Sequence, residues 1–209
     1  EGLVVPGLPP KEFQRTAESG AAQVIDTRSM LAFGGGHIAG ALNIGARPEL
    51  SLWAGWMLDP DRPLLLVLAQ DHELLQVLSL LLRTGYTRIA GYLVGGMRAW
   101  DNAGLPIVPL PQMPVQQLRD ATEVITLDVR SPGEWKQGHI PGARHMFLPQ
   151  VPTRLAELDR SQPIATYCDS GYRASLAASI LQAQGFRSVN SVPGSWQAWR
   201  NAGYPVAQP

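Results

Sequence analysis

Short, largely apolar runs alternate along the chain with segments of helical spacing, and the same order occurs twice. Val24 to Asp26, Leu64 to Leu68, Val124 to Asp128 and Ile164 to Tyr167 are bounded by turn residues and predict strands. A helix is predicted over the Leu-rich stretch Leu74 to Leu82, and another after residue 173, where Leu176, Ile180 and Leu181 supply an apolar face. Gly85-Tyr86 and Gly185-Phe186 then lead into a last strand, Ser188 to Val192 in the second half. Each half closes on a short helix ending in Asn-Ala-Gly-x-Pro, a helix stop signal. Strands alternating with helices imply an α/β fold around a mainly parallel sheet, and sites in such sheets lie at the carboxyl ends of strands.

The repetition extends to residue identity. At an offset of 102, eight of the 19 positions from 26 to 44 are identical, including Asp26, Arg28 and Ser29 against Asp128, Arg130 and Ser131. Gly36-His37-Ile38 likewise repeats as Gly138-His139-Ile140. A second block, Ala99 to Pro106 against Ala198 to Pro205 at offset 99, keeps six of eight. Two collinear blocks mean two copies of one domain. The expected domains are 1–108 and 115–209, with the proline-rich stretch from Pro109 to Pro114 as linker.

Composition narrows the field. The chain is 45% hydrophobic, enough for buried cores and against intrinsic disorder. Lys+Arg 17 balances Asp+Glu 17, so there is no electrostatic footprint for nucleic acid or anionic lipid. The longest apolar run, Pro63 to Ala69, falls far short of the roughly 18 residues of a membrane span. The start, Glu1-Gly2-Leu3, has neither an initiator Met nor a signal-peptide pattern and reads as a processed or excised end. A single cysteine, Cys168, excludes an internal disulfide and suits a reducing compartment, so a cytoplasmic location is expected. His37, His72, His139 and His145 lack close metal-ligand spacing, and no metal or cofactor is expected.

Cys168 stands where chemistry is expected. The strand ending at Tyr167 runs into Cys168-Asp169-Ser170-Gly171-Tyr172-Arg173 and then a helix. Backbone N–H groups in such a loop can converge on one point, and the helix dipole adds positive potential. That setting favours thiolate over thiol and makes a nucleophile. Gly171 relieves the steric cost of a tight loop, and Arg173 adds charge and a planar donor fork. Aligning Pro63 with Pro163 sets Leu68 opposite Cys168, and Ala69 to Glu73 opposite Asp169 to Arg173. The first copy thus has no thiol, no loop glycine and a reversed charge, and is expected to be catalytically inactive.

The combination Cys-x-x-Gly-x-Arg, with Asp-x-Arg-Ser and Gly-His-Ile-Pro-Gly-Ala before it and Gly-x-x-x-x-Trp after it, resembles the rhodanese (thiosulfate sulfurtransferase) family as a tandem pair. Trp53-Ala-Gly-Trp56 ahead of Asp61-Arg62-Pro63 is similar to the first domain of the rhodanese pair that follows a metallo-β-lactamase-like persulfide dioxygenase in some fusion proteins. The resemblance implies that Cys168 takes a sulfane sulfur from thiosulfate or a small persulfide and passes it to a thiol or cyanide. The intermediate is a covalent Cys persulfide, held by loop amides from Asp169 to Arg173. Arg173 would help bind an anionic donor, and a dioxygenase domain of the same full-length chain becomes a candidate partner.

The shared motifs take structural readings. Asp128 and Arg130 are expected as an ion pair near the loop, and His139 as a residue that fixes a turn. Trp100 and Trp199 read as core anchors, whereas Trp196, opposite Met97, either walls the site mouth or packs in the core. Two rival functions remain: a non-catalytic rhodanese-like sulfur-sensing or interaction module, and a Cys-dependent phosphatase or arsenate reductase. The related phosphatases space cysteine and arginine one residue further apart, which suits phosphate better than the shorter loop here.

Overall fold

The computed structural model describes residues 4–208, so the Glu1-Gly2-Leu3 end lies outside the described residues. The chain divides into two compact units, 1–108 and 109–209. The first contains β1 (Gly7–Leu8), α1 (Pro10–Glu18), β2 (Gln23–Asp26), α2 (Met30–Gly35), β3 (Leu42–Asn43) and α3 (Leu50–Met57), followed by β4 (Leu64–Val67), α4 (Leu74–Leu82), β5 (Ile89–Leu93) and α5 (Gly96–Asn102). The second contains α6 (Val115–Asp120), β6 (Ile125–Asp128), α7 (Pro132–Lys136), β7 (Arg144–His145), β8 (Ile164–Tyr167), α8 (Tyr172–Ala183), β9 (Val189–Ser191) and α9 (Ser195–Asn201).

Each unit is an α/β domain with a parallel sheet. The strand orders are β1-β5-β4-β2-β3 and β7-β6-β8-β9. Every residue of β4 and β8 is buried, as expected for apolar runs in the middle of a parallel sheet. Val67 pairs with Asp26 and Tyr167 with Asp128, so the following residues, Leu68 and Cys168, hold the same place in their units. The alignment made from the two prolines is therefore also the structural one.

The expected linker proves to be part of the second unit. Met113 N–H donates to Ser191 O at 2.9 Å and Ser191 N–H to Pro111 O at 3.0 Å, so this stretch runs alongside β9 as β1 runs alongside β5. Leu110 within it is fully buried. Prolines suit an edge position, where a missing N–H leaves no ladder bond unmade. Composition alone hid this, because a proline-rich edge and a proline-rich linker look the same.

Helices α4 and α8 follow equivalent strands but differ in character. In α8 every residue from Ala174 to Leu181 is buried, including the expected Leu176, Ile180 and Leu181. Its Ala and Ser residues let the helix pack closely on all sides. The Leu-rich α4 is one-sided, with Leu75 and Leu82 exposed. Among the described residues, no helix is long and apolar enough to cross a membrane.

Candidate active site

Cys168 lies at the carboxyl end of β8, only 1% exposed. Its Sγ accepts a hydrogen bond from the Gly171 N–H at 3.1 Å. Gly171 has φ of +111°, a conformation that a side chain would strain, and it caps the start of α8. The sulfur therefore faces a turn that only glycine forms without cost.

The start of α9 fastens the other side of this loop. Trp196 N–H donates to Cys168 O and Gln197 N–H to Asp169 O, both at 3.0 Å. The Gln197 side-chain amide also reaches the Asp169 carboxylate at 2.6 Å. Cys168 N–H donates to Ser195 Oγ at 3.2 Å, and that hydroxyl donates to Val192 O at 2.6 Å. Ser195 is fully buried with φ of +46°. A left-handed serine costs of order 1 kcal/mol and persists where its surroundings over-determine it. Here its hydroxyl links the Cys168 amide to the end of β9.

Arg173 carries its charge beside Cys168, but its fork is already engaged. Nη1 and Nη2 donate to the two Glu134 carboxylate oxygens at 2.8 and 2.7 Å. The fork thus closes an internal pair with Glu134, and the guanidinium charge lies beside the Cys168 sulfur. Ser131 N–H and Oγ–H donate to Glu134 Oε2 at 2.9 and 2.8 Å, completing a capping box at the start of α7. The Arg173 hydrogen bonds hold the Glu134 carboxyl down from 4.5 to about 2, against the opposing effect of burial. Burial disfavours the Arg173 charge, yet Glu134 and the Cys168 sulfur outweigh it and raise its pKa above the usual arginine value.

Behind the loop, Asp128 and Arg130 form the expected ion pair, buried and two-pronged, at 2.6 Å for the shortest contact. Arg130 also donates to Gly138 O at 2.8 Å. The Trp196 ring lies 4.5 Å from the Arg130 guanidinium carbon, and 9% of the residue is exposed. Trp196 belongs to the core cluster of Trp199 and Tyr167, and it also lines a groove next to Asp169. His139 exchanges two backbone hydrogen bonds with Ala207, stacks on Trp135 at 3.4 Å and fixes the Gly-His-Ile turn. Trp100 and Trp199 are buried and donate from Nε1 to Pro106 O and Pro205 O. Ser170 and Tyr172 are half-buried in the loop.

The first unit keeps the frame and loses the loop. Arg28 is paired with Asp26 at 2.6 Å, and Asn43 holds Arg28 O where His145 holds Arg130 O. Asp71 stands at the position of Gly171, and its carboxylate accepts from the Gly95 N–H at 3.0 Å. A single 3₁₀ turn, Asp71–Glu73, replaces the tight loop, and α4 starts two residues later than α8. Ala32 and Glu73 stand where Glu134 and Arg173 do, so both members of that pair are missing. Gly96, with φ of +57°, stands where Ser195 does.

Residues 9–103 and 114–202 each match the family model described as Rhodanese-like domain. The chain belongs to the rhodanese-like family. A sulfurtransferase of Allochromatium vinosum is 34% identical over 94 residues, 45% of this chain and 88% of that protein. The thiosulfate sulfurtransferase GlpE of Stutzerimonas stutzeri is 34% identical over 96 residues, 46% of this chain and 86% of its own. A crystal structure of a rhodanese-related protein from Thermoplasma volcanium is 26% identical with a TM-score of 0.45, covering 47% of this chain and 99% of that one. The two curated relatives each match about half of the present chain over most of their own length, as the two family matches within the chain require.

Sequence reasoning missed two residues of this rhodanese-like site. Glu134 could have been found from Ser131-x-x-Glu134, the spacing of a capping box, and from Ala32 opposite it. Ser195 gave one signal, its exchange for Gly96 in the other copy, but nothing in sequence tells which side chain turns toward a buried amide.

Proposed function

We propose that the second unit is a sulfurtransferase that moves a sulfane sulfur through a persulfide on Cys168. The observation that carries this reading is the Cys168 sulfur at the end of β8, hydrogen-bonded by the Gly171 N–H with the Arg173 charge beside it. The Cys168 thiolate attacks the outer sulfur of thiosulfate or the sulfane sulfur of a small persulfide. One S–S bond forms as another breaks, and sulfite or a thiolate leaves with the electron pair. Loop amides and Arg173 stabilise the negative charge on the outer sulfur, and the Trp196 indole shields it from water. An acceptor thiol or cyanide then takes that sulfur and returns Cys168 as thiolate.

Relatives named thiosulfate sulfurtransferase support thiosulfate as donor. The Trp53 to Pro63 resemblance supports a persulfide dioxygenase domain as partner, in a cytoplasmic setting where thiols stay reduced. The first unit, with Leu68 in place of the thiol, has no part in the chemistry. Incubation with thiosulfate should add the mass of one sulfur to the peptide containing Cys168, and Cys168→Ala should abolish both the adduct and turnover. Appreciable transfer by Cys168→Ala would overturn the reading.

A further inference from the structure

We propose that the first unit holds a binding site of its own, a groove beside Leu68 that takes a small tetrahedral oxyanion. This site is independent of sulfur transfer, since it lies in the unit without a thiol. The groove has a volume of about 460 Å³, within the range of about 300–1,000 Å³ typical of small-molecule sites. Three basic side chains line it from three separate segments. Arg28 follows β2, His72 lies in the 3₁₀ turn after β4, and Arg98 sits in α5.

These side chains keep donors to spare. Arg98 and His72 are exposed, and their side chains have no hydrogen-bond or ion-pair partner among the described residues. Arg28 spends Nε and Nη2 on Asp26 and Gly36 O, while its Nη1 has no partner among the described residues. Its counterpart Arg130 makes the same bonds under the Tyr167 and Trp196 rings, and its side chain is 2% exposed. Val67 and Met97 stand in place of those rings, and the Arg28 side chain is 11% exposed. Losing two aromatic covers thus opens a guanidinium edge onto the groove.

The acidic groups change in the opposite sense. Glu134 and Asp169 line the equivalent groove of the second unit, and Ala32 and Ala69 stand in their places. Arg98 and His72 replace the neutral Gln197 and Tyr172. Asp71 is the one carboxylate along the groove of the first unit, and both its oxygens accept from the Gly95 N–H, at 3.0 and 3.1 Å. Guanidinium groups bind oxyanions through their fixed N–H donors. Donors arriving from three segments suit the several oxygens of sulfate or phosphate better than a planar carboxylate. Leu68 brings no reactive group, so the anion is held and not turned over.

The test uses the full chain carrying Cys168→Ala, which removes covalent chemistry. Sodium sulfate, sodium acetate and sodium chloride are titrated at matched ionic strength, and amide shifts in nitrogen–proton correlation spectra report both place and affinity. Sulfate should move the amides of 68–72 and 95–98 saturably, acetate more weakly and chloride little. Arg98→Gln, which installs the second unit's residue, should raise the sulfate Kd at those amides about tenfold, the scale of one charge-assisted pair. His72→Tyr should raise it less. Asp71→Asn keeps an acceptor for the Gly95 N–H, removes the groove's own negative charge, and should lower the Kd about threefold. Shifts confined to the 168–173 loop, acetate binding as tightly as sulfate, or an unmoved Kd in Arg98→Gln would overturn the proposal. Weaker binding by both Arg98→Gln and Asp71→Asn would reflect a loosened groove rather than its charge, and would overturn it as well.

Discussion

The two units share a frame that carries no information about activity. Both pair an aspartate with an arginine two residues on, at 2.6 Å in each case. Both stack the Gly-His-Ile histidine on the aromatic ring four residues before it, Phe33 or Trp135. Both bond a buried tryptophan Nε1–H to a proline carbonyl six residues on. The differences gather around one spot: Leu68 for Cys168, Asp71 for Gly171, Glu73 for Arg173, Ala32 for Glu134 and Gly96 for Ser195. Such a distribution shows that the most repeated motifs maintain the fold. What sets the second unit apart is the set of positions at which the copies disagree.

The harshest way to test this is to write the first unit's residue into the second unit's loop. Gly171→Asp places a side chain at φ of +111°, where the strain costs about 1–2 kcal/mol. It should also pull away the amide that faces the Cys168 sulfur. Losing one preorganised donor to a developing anion typically costs about 10²–10³ in rate, so sulfur transfer should fall by about that factor. Thiosulfate:cyanide kinetics and a denaturation curve read both effects. Activity within a fewfold of wild type would mean that the loop amides do not hold the transferred sulfur.

Much of this contrast is legible in the residues alone, and the reason is periodicity. The strands ending at Asp26, Val67, Asp128 and Tyr167 are short apolar runs with turn residues on both sides, and their register follows from the repeat. Cys168, Gly171 and Arg173 lie within six consecutive residues, where local spacing carries the chemistry. Glu134 and Ser195 lie 34 residues before and 27 after Cys168, and only the tertiary fold brings them to the loop. The Arg173 fork shows the same limit. Its presence is legible, but its engagement with Glu134 depends on where α7 packs.

A gentler exchange takes Ser195 to its counterpart. Ser195→Gly relieves strain at φ of +46° but removes the hydroxyl between Cys168 N–H and Val192 O. Relief and loss are each worth of order 1 kcal/mol, so stability should change little. Ser195→Ala keeps the strain and loses the same bonds, and should be less stable than the glycine variant by about 1 kcal/mol. Both should transfer sulfur several-fold more slowly, with the loss in kcat rather than in KM for the donor. An alanine variant more stable than the glycine variant would show that the backbone at 195 is not strained. Full activity in both would leave the serine as a packing residue.

The smallest expected effect concerns the Glu134–Arg173 pair, absent from the first unit. The folded-state value of Glu134, about 2, lies below its ordinary 4.5, so the fold favours the ionised carboxylate. The resulting stabilisation is complete above about pH 4.5 and is lost as pH falls through about 2. Glu134 is partly exposed, and solvent screening cuts the contribution to about 1 kcal/mol. Glu134→Gln keeps an acceptor for Ser131 and for one Arg173 nitrogen while removing the charge. Chemical denaturation of wild type and variant should therefore differ by about 1 kcal/mol at pH 7, and the gap should close as the pH is lowered from 4.5 toward 2. A gap that stays constant over that range would mean that the carboxylate acts through shape and hydrogen bonding alone. Its charge would then contribute nothing to the difference between the two units.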